Sequence, residues 1–316
     1  MNRQLWLVSL AFFLAMFGYN IGQNFLSLQA SPFLSVWEIS VVVAMVYAAF
    51  AVSSLFSGKL IERYGTIASI RLGALLYVPF LLFLWSSKSF LLLLLGALLV
   101  GLGAGFLWVA GPTFVLHNTE KRGRHMGIFR SIVEFGAALA GLVGGVAASF
   151  LPLETVFLFG GVLLTLSVLP TFFMSDRKVE RKTYAWSEQL GMLADRNLLV
   201  LSSILFASSL MFGAIIPLLP LVVKSLGGGA FEVGVAFFIY SAFMIVWMIG
   251  GGIKSDEIGR KKLLAASLVV GAVASLLLFA TDNYILVLAA VAGSSLVRGL
   301  STVLVDASIG DIFREK

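Results

Sequence analysis

Two segments of this chain repeat one another at a fixed spacing. Ser35-Val-Trp-Glu38 leads through an apolar stretch to Gly58-Lys-Leu-Ile-Glu62-Arg63-Tyr-Gly65. Gly229-Ala-Phe-Glu232 leads through another to Gly252-Ile-Lys-Ser-Asp256-Glu-Ile-Gly259. Glu38 and Glu232, Gly58 and Gly252, Glu62 and Asp256, and Gly65 and Gly259 each stand 194 residues apart. One offset held at four polar or glycine positions around an apolar span marks a tandem duplication of a membrane unit.

Composition says why the unit belongs in lipid. With 59% hydrophobic and 12% charged residues, the 316-residue chain has too little polar surface to clothe a water-soluble globule. Its apolar runs fit helices of roughly 20 residues that cross a bilayer. Ten are predicted, over residues 5–28, 37–57, 67–86, 89–112, 125–149, 154–174, 198–221, 232–252, 262–281 and 283–304. Runs such as Leu91-Leu-Leu-Leu-Leu95 are apolar on every side, which excludes the two-residue alternation of a membrane β-barrel. The first run is too long for a secretory signal and is followed by further spans, so it reads as a helix of the mature protein.

The same inventory excludes several functions. There is no cysteine, hence no disulfide and no thiolate metal site, and His117 and His125, read as lying in a basic loop, are too few for a histidine-rich one. No span carries a His, Cys or paired-carboxylate arrangement suited to catalysis, and no phosphate-cradling loop is present, so neither an enzyme nor a nucleotide-driven pump is expected. No cofactor is expected either.

Basic residues fix an orientation. Nineteen of the 22 Lys and Arg fall at the termini or in alternate loops, from Arg3 through the Lys59, Lys121, Arg177 and Lys254 groups to Lys316. Lys88 and Lys224 alone lie on the other side, with Arg298 inside a span. By the positive-inside rule both termini are cytoplasmic, in the plasma membrane. The net charge of +6 reflects this topology and contact with lipid headgroups, and calls for no nucleic-acid partner.

Residues 1–175 are predicted to form a six-helix lobe and 198–316 a second lobe of four helices. The hydrophilic stretch 176–197 forms the linker, within which 184–194 reads as a short amphipathic helix. Shifted by 194, Lys316 corresponds to Arg122, just before the fifth span. Counterparts of spans five and six are therefore missing, and truncation of a six-plus-six design is expected.

The repeated loops resemble the signature of the major facilitator superfamily of secondary transporters, Gly-x-x-x-Asp-Arg-x-Gly-Arg-Lys, found after helices 2 and 8. Gly252 to Lys262 matches it apart from Glu257. The first copy keeps Gly58, Glu62, Arg63 and Gly65 but has Thr66-Ile67 where basic residues are expected. Glycines suit a tight turn with positive φ. The resemblance implies an all-α, two-lobe bundle in which Gly58, Glu62, Arg63, Gly65, Gly252, Asp256, Gly259, Arg260 and Lys261 gate the cytoplasmic side. Each carboxylate would sit at a helix N-terminus of the opposite lobe: the loop after helix 2 would face helix 11, and the loop after helix 8 would face helix 5.

The fifth span resembles the superfamily's antiporter motif through Gly127, Gly136, Ala140-Gly141 and Gly144-Gly145, with Gly141 in place of a proline. Gly136, Gly141, Gly144 and Gly145 read as one face that serves either as a hinge or as plain small-residue packing. The arginine that the family uses for proton coupling in helix 4 is absent, since Leu91 to Gly111 carries no charge.

A charge inside a span costs about 2.5–3.5 kcal/mol on insertion scales and so marks a candidate site. Glu134 reads either as a titrating or cation-binding group or as an i,i+4 partner of Arg130. Arg298 reads either as an anion site or as a residue that snorkels or pairs with Asp306 just past the last span. Asn20, Gln23, Asn24 and Ser27 recur at helical spacing as a polar face, lining a cavity or gluing helices together. Tyr47, Trp108, Tyr240 and Trp247 are possible aromatic walls. The expected function is alternating-access transport of small molecules, coupled to a proton or sodium gradient, with efflux of drugs or metabolites favoured. Uptake of a metabolite or sugar and a truncated, non-transporting membrane protein are the alternatives.

Overall fold

Ten helices long and apolar enough to cross a membrane follow one another among the described residues, which are 3–118, 122–175 and 196–312 in a computed structural model. The side chains of residues 122–124, 196–198, 252, 253, 256 and 306–312 lie outside the description. The helices are α1 (Arg3–Ala30), α2 (Val36–Tyr64), α3 (Thr66–Ser86), α4 (Phe90–Asn118), α5 (Arg122–Ala148), α6 (Leu153–Leu166), α7 (Arg196–Ser225), α8 (Ala230–Ile258), α9 (Arg260–Ala280) and α10 (Tyr284–Ile312). The amphipathic segment expected at 184–194 lies outside the described residues.

Several helices outrun their apolar cores. α2 continues from the expected 57 to Tyr64, α8 from 252 to Ile258 and α10 from 304 to Ile312. Hydropathy marks only the stretch in hydrocarbon, whereas Lys59, Glu62 and Arg63 are good helix formers that carry the backbone on into the headgroup zone. His117 and His125 accordingly stand on α4 and α5, not in a loop, and Asp306 lies within α10, not past its end. α6 is the opposite case. It stops at Leu166, and Leu169–Phe173 forms a 3₁₀ turn with Pro170 near its start, because proline cannot donate the next helical hydrogen bond.

The 194-residue repeat is a repeat of helix punctuation. At the start of α2, Ser35 N and Oγ donate to Glu38 Oε2 at 2.8 and 2.7 Å, and Glu38 N donates back to Ser35 Oγ at 3.3 Å, a capping box. At the start of α8, Gly229 N donates to Glu232 Oε2 at 2.8 Å, half of the same device. At the far ends the chain reverses over one residue. Gly65 (φ 88°) donates its N–H to Ile61 O at 2.9 Å, and Gly259 (φ 91°) to Ser255 O at 3.1 Å. A β-carbon is disfavoured at both backbones. Gly58 and Gly252, expected in the turn, are instead helical residues about two turns before it. Open space surrounds Gly58.

The chain packs as two compact units, Met1–Val179 with Pro217–Phe238, and Glu180–Ile216 with Ile239–Lys316. In the first, α1 lies on α5 and α6, α2 on α4, and α3 on α4 and α6. In lipid no hydrophobic force draws helices together, so close backbone approach and interhelical hydrogen bonds do the holding. A β-carbon on Gly73 would lie 2.8 Å from Gly103 O, and one on Gly160 would lie 2.9 Å from Gly18 O. Ser53 and Ser57 of α2 donate to Gly101 O and Gly105 O of α4 at 3.1 and 2.8 Å. Fully buried Phe12, Phe25, Tyr77, Phe80 and Phe129 fill the remaining space, with Phe12 edge-on to Phe129 and Tyr19 edge-on to Tyr77.

In the second unit α9 packs on α10, with Leu264, Leu300 and Leu304 as its apolar centre. Ser208 of α7 and Ser301 of α10 share a buried hydrogen bond of 3.0 Å, and Trp247 of α8 donates to Ala292 O of α10 at 3.3 Å.

Alanine at Gly65 should cost on the order of 1–3 kcal/mol through its backbone conformation, while alanine at helical, unobstructed Gly58 should not destabilise. Thermal unfolding of Gly65→Ala and Gly58→Ala in nanodiscs, followed by tryptophan fluorescence, checks the pair; equal midpoints would refute the assignment of the turn to Gly65 alone.

Candidate functional site

The signature residues sit at helix ends. Glu62 and Arg63 occupy the last turn of α2 and are exposed, with the Arg63 guanidinium 5.2 Å from the Tyr64 ring centre. Arg260 and Lys261 open α9 beyond the Gly259 turn, Lys261 exposed and Arg260 half-buried. Asp256 is helical, and its side chain lies outside the described residues.

The glycines of α5 do not share one face. Gly136 and Gly144 pack on α1, where a β-carbon would meet Phe13 O at 2.8 Å and the Phe25 ring at 2.7 Å respectively. Gly141 and Gly145 turn instead to the first part of α8. A β-carbon on Gly141 would meet Gly234 O at 2.9 Å and Phe238 N at 2.9 Å, and one on Gly145 would meet Gly234 Cα at 2.9 Å. A β-carbon on Gly127 would meet nothing within 4 Å among the described residues. Near the same end of this unit, Lys224 Nζ at the end of α7 donates to Ser31 Oγ in the α1–α2 connection at 3.0 Å. Gln29 of α1 donates to Glu154 of α6 at 2.8 Å.

The polar face of α1 is mostly buried. Gln23, Asn24 and Ser27 are enclosed, Gln23 donates to Tyr47 Oη of α2 at 3.4 Å, and Asn20 is bonded back to Met16 O at 2.7 Å. Glu134 is half-buried on α5, one turn from Arg130, whose guanidinium lies 5.6 Å from the Trp108 ring centre. Arg298 is the fifteenth of the 29 residues of α10. Its Nη1 donates to Ser209 Oγ of α7 at 3.4 Å and its Cζ lies 5.2 Å from the Phe212 ring centre. Phe212 in turn packs on buried Tyr240 at 5.7 Å. Asp306 is eight residues further on, about 12 Å along the helix axis, and its side chain is outside the described residues.

Besides the bonds of Gln29 and Arg298, three more contacts escaped the sequence. Arg71 of α3 clamps the 3₁₀ turn after α6, donating from Nε to Thr171 Oγ1 at 2.9 Å and from Nη2 to Thr171 O at 2.8 Å, with Phe172 4.4 Å away. Gln4 and Ser175 exchange hydrogen bonds of 2.9 and 3.0 Å, pinning the start of α1 to the end of the sixth span. The third is Lys224 on Ser31. Each pairs residues far apart in sequence, and an isolated polar residue at a span end carries no sign of its distant partner.

The family model of the Major Facilitator Superfamily matches residues 5–309. The chain belongs to this superfamily. Among curated relatives, multidrug resistance protein MdtG of Dickeya zeae (strain Ech586) is 26% identical over 294 residues, covering 85% of this chain and 70% of that protein. The proton-coupled antiporter flippase LtaA of Staphylococcus haemolyticus (strain JCSC1435) is 26% identical over 197 residues, 59% of this chain and 47% of the flippase. Among solved structures, the D-xylose-proton symporter aligns with a TM-score of 0.69 at 14% identity, over 95% of this chain and 80% of the symporter. A bacterial homologue of the human lysosomal transporter Spinster, inward-facing and occupied, aligns at 0.72 with 15% identity, over 95% and 72%. These structures share the helical fold of the superfamily with this chain. Its family and fold are those of transporters of small molecules, in a multi-pass membrane protein.

Alanine at Gly234 would press its β-carbon on Gly141 O and lie 2.7 Å from Gly145 Cα, both backbone atoms that cannot rotate away. Gly234→Ala should lower the thermal midpoint measurably, and Gly250→Ala, whose surroundings are open, should not. Matching midpoints for the two variants would show that α5 and α8 do not meet at these glycines.

Proposed function

We propose that this superfamily member is a secondary active transporter that works by alternating access, exporting drugs or metabolites across the plasma membrane against a proton or sodium gradient, with both termini in the cytoplasm. Its moving bodies are the repeat halves, 1–175 and 198–316, joined by the linker 176–197. The observation that carries the proposal is the contact of Gly141 and Gly145 with Gly234. By the repeat, α5 belongs to the first half and α8 to the second. Their surfaces meet largely through backbone, with the Phe237 β-carbon the one side-chain atom among the nearest neighbours of a β-carbon built on Gly141 or Gly145. Such a contact parts and re-forms without rotamer changes, which suits a seam that opens in every cycle. Lys224 on Ser31 adds a polar latch close by. On this reading Pro217–Phe238 packs with the first half because the seam is closed at that end, and the signature turns work at the other. The likeness to MdtG supports efflux as the direction.

Proteoliposomes holding the chain should move ethidium or benzoate when a pH or sodium gradient is imposed. No movement in either direction would overturn the proposal, and net uptake would reverse its direction. Because the chain has no cysteine, Ser31→Cys with Lys224→Cys provides the only two thiols. Joining them with a short bifunctional methanethiosulfonate should arrest transport, and reduction of the linker should restore it. Continued turnover in the cross-linked protein would rule out opening at that seam. Glu134→Gln should flatten the pH dependence of transport; an unchanged profile would assign Glu134 to structural pairing with Arg130.

A further inference from the structure

We propose that Arg298, together with Ser209 and Phe212 of α7, holds the anionic head of an amphipathic substrate, an oxyanion joined to an apolar or aromatic body. The inference rests on the transport reading above and gives it a substrate class.

Three observations carry it. The first is height in the bundle. Arg298 is the fifteenth of the 22 residues of the apolar span Tyr284–Val305, and the groups it touches, Ser209 and Phe212, are the eleventh and fourteenth of the 27 residues of Leu199–Ser225. An arginine that snorkelled would reach toward a helix end, whereas this one is held on α7 within both spans. The second is the shortfall of acceptors. A guanidinium carries five N–H donors in a planar fork. Among the described residues Arg298 finds one hydroxyl, at 3.4 Å, and one ring face. Asp306 stands eight residues further on, about 12 Å along the axis, while the guanidinium is turned to α7. The half-buried fork therefore keeps donors to spare, and a bidentate oxyanion is the partner that satisfies them.

The third is how the group is held. Ser301 Oγ and Thr302 Oγ1 both donate to Arg298 O, at 3.3 and 2.8 Å, and Ser301 is tied across to Ser208 of α7. The backbone under Arg298 is thus braced against α7. Phe212 backs the guanidinium on one side and packs on buried Tyr240 of α8. A cation with an aromatic wall beside it recognises a carboxylate or phosphate ester carrying an apolar body better than a small inorganic anion or a sugar. The same chemistry is offered by a dissolved aromatic acid and by an anionic lipid headgroup, and the test separates the two.

The whole chain in phosphatidylcholine nanodiscs is titrated with radiolabelled benzoate and with benzamide, its neutral counterpart. Wild type should bind benzoate saturably and prefer it to benzamide by about tenfold or more, the worth of one charge-assisted hydrogen-bonded pair. Arg298→Ala should remove that preference and leave benzamide binding where it was. Arg298→Lys should retain most of it, and Phe212→Ala should weaken both ligands alike. Replacing a third of the lipid with phosphatidylglycerol separates the sources: displacement of benzoate identifies a lipid headgroup as the natural anion, and undisturbed binding identifies a dissolved one. Benzoate bound equally by wild type and Arg298→Ala, or no preference for benzoate in wild type, overturns the inference. The wild-type preference can be read even if Arg298→Ala does not reconstitute. Gradient-driven ethidium movement with no such preference would sink the anion site and keep the transporter. An Arg298-dependent benzoate preference without gradient-driven movement of any cargo would do the reverse.

Discussion

Backbone meeting backbone is the interaction on which this molecule rests. Inside a bilayer the lipid is as apolar as any leucine, so burying leucines against one another gains little, and helices stay together only where they approach closely or share polar groups. Gly18 against Gly160, Gly73 against Gly103, and Gly141 and Gly145 against Gly234 are such approaches. The serine hydroxyls of α2 on the carbonyls of Gly101 and Gly105 are the shared polar groups. The leucines and phenylalanines that dominate the composition fill space between these points and face the lipid.

That division explains what was legible in the sequence. The ten spans and the all-α class follow from hydropathy because hydrocarbon leaves the backbone no other regular choice. The duplication was legible because helix starts and stops depend on local chemistry: a carboxylate three residues after Ser35 or Gly229, a glycine where φ turns positive. Helix ends in the headgroup region were not legible, since Lys59, Glu62 and Arg63 are as content in a helix as in a loop. The glycines of α5 were legible as packing residues, yet not as belonging to two faces, because that depends on where α1 and α8 lie. Arg298 was visible as a charge out of place. Its partners on α7 were not, being some 90 positions away in the chain with no local signal to join them.

The candidate sites divide by what they touch. The polar residues of α1 lie largely inside the bundle, with Gln23 on Tyr47 and Asn20 bonded to its own helix. Gly141 and Gly145 of α5 touch α8, and Lys224 bonds Ser31, at the contact proposed above as a seam. Arg298 is different in kind, a full charge within a span with hydrogen-bonding capacity to spare.

The one-residue reversals at Gly65 and Gly259 have a mechanical consequence. A connection of several residues has slack, and the helices on either side of it can slide or tilt separately. Here the last turn of α2 is bonded into the first residue of its connection, and α3 begins at the next residue; α8 and α9 are joined in the same way. Neither pair has a length of chain to pay out. Any displacement of α2 along its axis must drag α3 with it, so each hairpin responds to a push as a single stiff lever, and the compliance that a moving protein needs has to come from other joints.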